Sequence, residues 1–120
     1  MDTQELGFLA ENIAARYLEG GGYEVIDKNY RKPWGEIDII ARKNEAVVFV
    51  EVKANSQEFG GNFNPEIRVD WKKMAKIKRT AALYLEHELC DMDCEWQIDV
   101  ISVTLDSANK KAKIKHFKNI

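Results

Sequence analysis

The sequence predicts an α/β fold in which a mixed β-sheet is flanked by two helices, in the order αβββαββ. Two helical patterns and five short segments rich in β-forming residues give this order. The second helical pattern lies between the third and fourth strands, where a right-handed crossover would join parallel neighbours. With 120 residues, 45% of them hydrophobic, the chain suits one domain over residues 1–120, since two halves would each be too small to fold easily.

The first helix is predicted over residues 3–19, because apolar residues recur there at three- and four-residue spacing. The stripe comprises Leu6, Leu9, Ala10, Ile13, Ala14, Tyr17 and Leu18. Glycines at 20–22 end the helix. Glu11 lies at the border of the stripe, where it is either an ordinary acid on the helix flank or a side chain aimed at a site shared with the sheet.

Three strands are predicted to follow, over residues 23–28, 36–42 and 46–54. Residues 29–35, which include Pro33, are predicted to connect the first two. Residues 55–69 are predicted to form a long loop. Loops of that length inside a small domain are usually functional or mobile.

Asp70 is predicted to cap a second helix that runs to about Leu89. Its predicted buried face comprises Trp71, Met74, Ile77, Ala81, Tyr84 and Leu85. Lys78 falls within that face, so it either reaches the helix edge or points toward a ligand. Residues 96–105 and 111–117 are predicted to form the last two strands.

The second and third strands predict a specific register. If residues 44–45 form a two-residue turn, Asp38 lies opposite Glu51 and Glu36 lies opposite Lys53. A shift by one residue would separate the two acids and expose apolar side chains on the reverse face. That face is predicted to hold Ile37, Ile39, Ala41, Ala46, Val48, Val50 and Val52.

This register gathers three carboxylates and one lysine at one end of the sheet. Carboxylates on directly opposed positions repel each other, because their Cβ atoms are only about 4.5 to 5.5 Å apart. A divalent cation such as Mg²⁺ (or Mn²⁺) would relieve the repulsion and keep several bound waters. The alternative is a solvent-facing end of the sheet whose acids are hydrated or paired with nearby lysines.

The net charge of −2 excludes a general polyanion binder, but basic residues are clustered. Residues 68–79 carry six cationic side chains against one acid, and residues 107–120 carry five lysines and no acid. These clusters either contact phosphates or are a solvated helix face and a lysine-protected edge strand. The candidate nucleic-acid-binding residues are Lys72, Lys73, Lys76 and Arg79.

The sequence predicts a cytoplasmic protein with no membrane span. Its longest apolar run, residues 46–50, is far shorter than the roughly 20 residues that a bilayer requires, and no targeting segment is visible. Cys90 and Cys94 are too few to staple a secreted fold. Together with His87 they form either part of a zinc site that lacks a fourth ligand or an ordinary polar loop.

Five segments carry a resemblance to a known family. GEIDII at 35–40 is followed by FVEVK at 49–53, with AENIAARYLEGGGYEVI before them at 10–26 and KKMAKIKRTAALYL after them at 72–85. The likeness extends through QIDVISV at 97–103. The chain thereby resembles the YraN-like family of uncharacterised bacterial proteins, within the PD-(D/E)xK or restriction-endonuclease-like superfamily, and is similar to archaeal Holliday junction resolvases.

The resemblance implies a restriction-endonuclease-like fold and assigns roles in the site. Asp38 and Glu51 match the metal ligands, and Glu11 matches a helical glutamate that resolvase-like members add to the metal site. Lys53 would orient the attacking water or stabilise charge on the phosphate. Glu36 belongs to the GEID pattern, where its role is less defined.

Other positions match less uniformly. Lys73 matches a lysine near the start of the second helix and would bind phosphate. Ile37 replaces the proline of the superfamily's name, which removes no ligand. Gln97 and Ile98 replace an Arg and a Phe that often precede the aspartate equivalent to Asp99.

The resemblance therefore implies a Mg²⁺-dependent nuclease or nucleic-acid-processing enzyme that hydrolyses phosphodiester bonds, with branched DNA as one candidate substrate. Symmetric cutting of a junction would further require a homodimer. The alternative is a non-catalytic module for nucleic-acid binding or partner docking, and a structural protein comes third. A lid that stacks on unpaired bases, or a merely disordered loop, is predicted at Phe59, Gly60, Gly61 and Phe63.

Overall fold

The computed structural model of the chain describes residues 2–57, 70–89, 93–106 and 109–120. Two helices and five strands lie in these ranges: α1 (Thr3–Gly20), β1 (Glu24–Lys32), β2 (Gly35–Lys43), β3 (Ala46–Gln57), α2 (Trp71–Tyr84), β4 (Trp96–Asp106) and β5 (Lys111–Phe117). α2 continues into a π-helical turn, Leu85–Leu89. The strands form one sheet in the order β1-β2-β3-β4-β5, in which only β3 and β4 are parallel. The predicted order αβββαββ and the mixed sheet are confirmed.

Each helix covers one face of the sheet, because the central strands are apolar on both faces. Ala10, Ala14 and Leu18 of α1 pack against a cluster that includes Ile39, Val48, Val50, Ile101 and Val103. Met74, Ile77, Ala81 and Tyr84 of α2 pack against a second cluster that includes Tyr30, Ile37, Ile40, Val47, Phe49 and Ile98. Neither described helix combines the length and the apolar content needed to cross a membrane.

Side-chain caps fix where both helices begin. The Asp2 carboxylate accepts a hydrogen bond from the backbone amide of Glu5 at 2.8 Å. The Asp70 carboxylate accepts from the amides of Lys72 and Lys73, so its predicted role as an N-cap is confirmed. These bonds satisfy amide groups that have no partner within the helix.

The predicted β2–β3 register is confirmed over its first five pairs, from Lys43 opposite Ala46 to Ile39 opposite Val50. Asn44 supports the tight turn by adopting a left-handed φ of 56°. The ladder stops before it reaches Asp38 and Glu51. The carboxylate end of the hairpin is therefore splayed and not paired residue against residue.

β1 is longer than predicted, and the predicted connection over residues 29–35 is wrong. β1 continues to Lys32, and only Pro33 and Trp34 separate it from β2. Asn29 has a φ of 54°, a conformation that asparagine tolerates better than most residues. A residue typical of turns is thus accommodated within the strand.

The predicted loop over residues 55–69 begins too early, because β3 extends to Gln57. The backbone of β3 continues to pair with β4 up to Asp106. The proposed lid residues Phe59, Gly60, Gly61 and Phe63 lie outside the described residues.

Ile37 lies on the opposite face from the one predicted. It packs with Ile40 in the cluster under α2, whereas Ile39 packs under α1. Strict alternation fails at Asp38, where the β2–β3 ladder has ended and the neighbouring Asn29 has left-handed backbone geometry. The local irregularity therefore rotates the first residues of β2 toward α2.

The observed buried face of α2 differs in detail from the predicted one. Trp71 is 75% exposed instead of buried, since it is the first residue of α2 and lies one turn before the buried cluster begins at Met74. Lys78 is exposed, and Thr80 is the polar residue on the buried face. Thr80 is tolerated there because its hydroxyl donates to the Lys76 carbonyl at 2.8 Å.

Candidate active site

A groove of about 240 Å³ lies where the β2–β3 ladder ends, beside the first turns of α2. It is lined by Glu36, Ile37, Asp38, Val50, Glu51, Val52, Lys73 and Ile77. The structure thus brings together Asp38, Glu51 and Glu36, as the sequence predicts. The groove's lysine comes from α2 and not from β3. We call this space the acidic groove.

Asp38 is a partly buried carboxylate inside the acidic groove. Its Oδ2 accepts a hydrogen bond from the backbone amide of Val52 at 2.8 Å. The pKa of Asp38 is raised to about 6, chiefly because the carboxylate is buried; the Val52 hydrogen bond opposes this rise, and the negative charges of Glu11, Glu51 and Glu36 add to it. The carboxylate is therefore held in a site that disfavours its negative charge.

Glu51 forms an ion pair with Lys73, between Oε1 and Nζ. The Glu51 side chain is only 14% exposed, whereas that of Lys73 is 59% exposed. The hydrogen bond to Glu51 raises the pKa of Lys73, burial lowers it, and the charges of Glu51, Asp38 and Glu36 raise it. A lysine from the helix thus compensates part of the charge that the sequence leaves unbalanced.

Glu36 and Lys53 do not face each other as predicted. Glu36 pairs across the sheet with Arg31 of β1, and their side chains lie 3.8 Å apart on the exposed surface. Lys53 lies beyond the end of the β2–β3 ladder and pairs with Ser102 of β4. It is partly buried, but it is not among the described residues that line the acidic groove, and its proposed role stays a prediction.

Glu11 lies on α1, across the sheet from α2, and is partly buried. Its charge nevertheless contributes to the raised pKa of Asp38. This coupling indicates that α1 carries an acid toward the same end of the sheet. Its role as a metal ligand stays a prediction.

The donor set is compatible with a hard cation. The carboxylates of Asp38 and Glu51 line one groove, and Mg²⁺ or Mn²⁺ prefers carboxylate oxygens together with water. In the described part of the chain, however, no three His, Cys, Asp or Glu side chains are grouped closely enough to form a metal site by themselves. Two carboxylates and several waters are the coordination that this geometry fits.

The zinc alternative concerns a different part of the chain. His87 lies in the π-helical turn after α2, and Cys94 lies shortly before β4. Cys90, between them, falls outside the described residues, so the structure leaves this alternative untested.

A second groove, of about 390 Å³, adjoins the acidic groove. It is lined by Lys32, Pro33, Gly35, Glu36, Lys73, Lys76 and Ile77. We call it the basic groove, because three lysines outnumber its one acid. Lys73 and Glu36 line both grooves.

The four candidate nucleic-acid-binding residues are all exposed on α2. Lys73 and Lys76 line the basic groove, whereas Lys72 and Arg79 line neither groove. α2 carries five basic residues and no acid. The charged side chains of this helix, which lies beside the acidic groove, are therefore all positive.

A close contact, which sequence reasoning missed, joins the start of β2 to α2 beside the basic groove. A Cβ atom on Gly35 would lie 2.1 Å from Thr80 Oγ1. Thr80 is completely buried, so it has little room to move. The only sequence signal was the glycine after Pro33 and Trp34, which indicates a turn but not its partner on α2.

A second polar cluster, also missed, joins α1, β4 and β5. The buried Asp99 accepts hydrogen bonds from Gln97 Nε2 at 2.8 Å and from the Asn119 amide at 2.9 Å, and its Oδ2 lies 2.7 Å from His116 Nε2. The other ring nitrogen of His116 lies 3.1 Å from the Tyr17 hydroxyl. Burial raises the pKa of Asp99, but the bonds from His116, Asn119 and Gln97 together hold it below its ordinary value.

Comparison with known proteins places the chain in a family. The model of the uncharacterised protein family UPF0102 matches residues 10–103. A UPF0102 protein of Fervidobacterium nodosum is 41% identical over 93% of this chain and 78% of its own length. One of Alkaliphilus oremlandii is 40% identical over 98% of this chain and 97% of its own length, and one of Campylobacter fetus is 37% identical over 95% and 91%. The resemblance to the YraN-like uncharacterised proteins is thus confirmed, and the chain belongs to the UPF0102 family.

Proposed function

We propose that this protein hydrolyses phosphodiester bonds of nucleic acid with the help of Mg²⁺ or Mn²⁺. The observation that carries the proposal is the meeting of Asp38 and Glu51 in the acidic groove. The lysine-lined basic groove adjoins it directly. Carboxylates that can hold a cation and lysines that can bind a phosphate are two elements that metal-assisted phosphodiester hydrolysis can use.

Asp38 and Glu51 would hold the cation, and Glu11 would support it from α1. The chemistry that such a cation supplies is a bound water of lowered pKa and neutralisation of charge on the phosphate. The Val52 amide holds the Asp38 carboxylate in place through a 2.8 Å hydrogen bond. A fixed carboxylate loses less conformational freedom on binding, which favours a preorganised site.

The lysines would act on the phosphate and the attacking water. Lys53 is proposed to orient the water or to stabilise charge that develops on the phosphate. Lys73 and Lys76 line the basic groove and would bind a neighbouring phosphate. Lys72 and Arg79 would extend this contact along α2, since both are exposed on the same helix.

The proposed substrate is DNA, including branched DNA. The exposed ring of Trp71 lies at the start of α2, beside Lys72 and Lys73. An exposed aromatic ring among lysines is typical of surfaces that bind unpaired bases. Symmetric cleavage of a four-way junction would additionally require two copies of the chain.

The decisive experiment is a cleavage assay with linear duplex, single-stranded, flapped and four-way DNA, and with RNA, in Mg²⁺, Mn²⁺ or EDTA. We expect cleavage that requires the metal and that falls on the order of 10²-fold or more in Asp38→Asn and Glu51→Gln, because each would lose an anionic ligand. Lys53→Ala tests the remaining proposed role in the site.

Glu19→Gln is the control, because Glu19 is an exposed acid near the end of α1. It should cut as the wild type does. The proposal is wrong if no substrate is cut, or if Asp38→Asn and Glu51→Gln cut as fast as the wild type.

A second candidate function is nucleic-acid binding without catalysis. The ion pair between Lys73 and Glu51 favours it, because a lysine there neutralises an acid without any metal. This function predicts binding that weakens with salt, is indifferent to EDTA and is never followed by cleavage.

A further inference from the structure

Lys73 already forms an ion pair with Glu51, one of the two carboxylates that would bind a cation. Its Nζ pairs with Glu51 Oε1, whereas the other candidate ligand, Asp38, has the Val52 amide as its partner. Among the described residues, the ion pairs formed by lysine or arginine at this end of the sheet are Lys73 with Glu51 and Arg31 with Glu36. A cation bound between Asp38 and Glu51 would therefore compete with Lys73.

The Lys73 side chain can also reach the basic groove. It lines both the acidic groove and the basic groove, and 59% of its side chain is exposed. A lysine side chain has four flexible carbons, so its ammonium can turn from one groove to the other without movement of α2. In the basic groove it would join Lys32 and Lys76.

Three ammonium groups in one small groove that holds a single carboxylate, that of Glu36, have an excess of positive charge that favours a bound anion. The basic groove therefore favours Lys73 only when an anion is bound there. The acidic groove favours Lys73 only when no cation is bound to Glu51. The two grooves thus share one lysine whose position depends on both ligands.

We infer that Lys73 exchanges between Glu51 and a phosphate in the basic groove, and that cation binding at Asp38 and Glu51 drives the exchange. This inference rests on the proposed function for the identity of the two ligands. Because coupling between binding sites is reciprocal, an anion in the basic groove must tighten cation binding by the same factor. The protein would then hold its cation weakly until a phosphate arrives.

The test measures Mn²⁺ binding to the full chain by electron paramagnetic resonance, with sulfate as the probe anion and chloride at the same ionic strength as its control. Without sulfate, Lys73→Met should bind Mn²⁺ about tenfold more tightly than the wild type, because the competing charge-assisted hydrogen bond is gone. Sulfate should tighten Mn²⁺ binding to the wild type but not to Lys73→Met.

Two lysines on the same helix provide matched controls. Lys72→Met removes the same charge from a residue that lines neither groove and should change the Mn²⁺ affinity less than about twofold, as expected for a screened surface charge. Lys76→Met alters only the basic groove. It should leave the Mn²⁺ affinity near that of the wild type and weaken the effect of sulfate.

Three results would overturn the exchange: Lys73→Met binds Mn²⁺ no more tightly than the wild type, Lys72→Met has the same effect as Lys73→Met, or no variant binds Mn²⁺. None of these measurements depends on cleavage. A protein that shows the expected Mn²⁺ pattern but cuts no nucleic acid would refute the proposed nuclease and retain the exchange.

Discussion

At the scale of single residues, Asp38 shows how the fold constrains a charged group. Its carboxylate lies near three other acids, while its hydrogen-bond donor is a backbone amide. Sequence reasoning predicted that Asp38 and Glu51 meet, because the register of an apolar hairpin is strongly specified. It did not predict the Val52 bond, since that bond forms only where the ladder ends.

Asp38→Asn should stabilise the metal-free protein above pH 6. The folded-state pKa of about 6 exceeds the ordinary 3.8, so the folded protein binds the proton more tightly than the unfolded chain does. The stability that this bound proton contributes is present in full below pH 3.8 and is lost as the pH rises through about 6. The free energy of unfolding of Asp38→Asn should exceed that of the wild type by on the order of 2 kcal/mol at pH 7, after allowance for partial exposure of the carboxylate. At pH 4 the two proteins should differ little.

Urea unfolding in EDTA at a series of pH values measures this difference. Glu19→Gln, which alters an exposed acid on α1, should follow the wild-type curve throughout. A variant no more stable than the wild type at pH 7 would mean that burial of the Asp38 charge costs little.

At the scale of elements, contacts between a strand and a helix are what the sequence predicted least well. Helix periodicity and hairpin register depend on neighbours along the chain, and both were largely right. The reach of Lys73 to Glu51 and the approach of Gly35 to Thr80 depend on how α2 lies on the sheet. Ile37 was placed on the wrong face for a different reason, because a local irregularity of the strands broke the alternation that the prediction assumed.

Gly35→Ala should destabilise the protein by about 1 to 3 kcal/mol, the usual cost of overpacking. The new Cβ would lie 2.1 Å from Thr80 Oγ1 and 3.3 Å from Thr80 Cβ. Urea unfolding gives the free energy change. Adding Thr80→Ala removes the shorter contact, so the double variant should recover part of the loss relative to the sum of the single changes.

Gly7→Ala is the matched control, because a Cβ there meets nothing within 4 Å. In the interior of α1 the substitution should be neutral or stabilising by up to about 1 kcal/mol. Equal destabilisation by both alanines would argue against the contact with Thr80.

Asp99→Asn should detach the C-terminal end of the chain. Asp99 accepts a hydrogen bond from the Asn119 amide and contacts His116 of β5, and an uncharged amide side chain forms weaker hydrogen bonds to these groups than a carboxylate does. We expect a loss of about 1 to 3 kcal/mol at pH 7, the usual range for weakened hydrogen bonds to a buried charged group. Hydrogen exchange should also accelerate in residues 116–120.

The same residue predicts how the wild type responds to acid. The pKa of Asp99 is held below its ordinary 3.8, so its stabilising contribution is present above that value and is lost as the pH falls below it. Asp99→Asn should lack this part of the acid dependence. Asp2→Asn is the control, since asparagine caps a helix as well as aspartate does, and an acid dependence unchanged in Asp99→Asn would refute the assignment.

At the scale of the whole molecule, basic residues are concentrated on one helix instead of being spread evenly along the chain. The chain carries 18 basic and 20 acidic residues, yet α2 contains five basic residues and no acid. The sequence alone identified this helix as a candidate phosphate surface. It did not reveal the basic groove, because Lys32 comes from β1, in a region predicted to be a connection.

Binding of a single-stranded oligonucleotide should weaken steeply between 50 and 200 mM salt, because released counterions drive such binding. Lys76→Ala and Arg79→Ala should each lower the slope of log K against log salt by roughly 0.7, as expected for one lost phosphate contact on a single strand. Fluorescence anisotropy with a labelled oligonucleotide gives both quantities.

Lys43→Gln controls for loss of charge, because Lys43 lies at the far end of β2, beside the hairpin turn. Its salt slope should equal that of the wild type. An equal reduction in all three variants would indicate non-specific attraction to the whole surface.

The order of the strands bears on how the chain folds. Strands that follow one another along the chain are also adjacent in the sheet. Three of the four strand pairs are antiparallel, and short connections join their strands. The exception is β3 with β4, whose eleven pairs join segments separated by all of α2. Since long closures cost more chain entropy, formation of this parallel pair should set the folding rate. Asp38 and Glu51 would then be in place early, and Lys73 would pair with Glu51 only after the slow step.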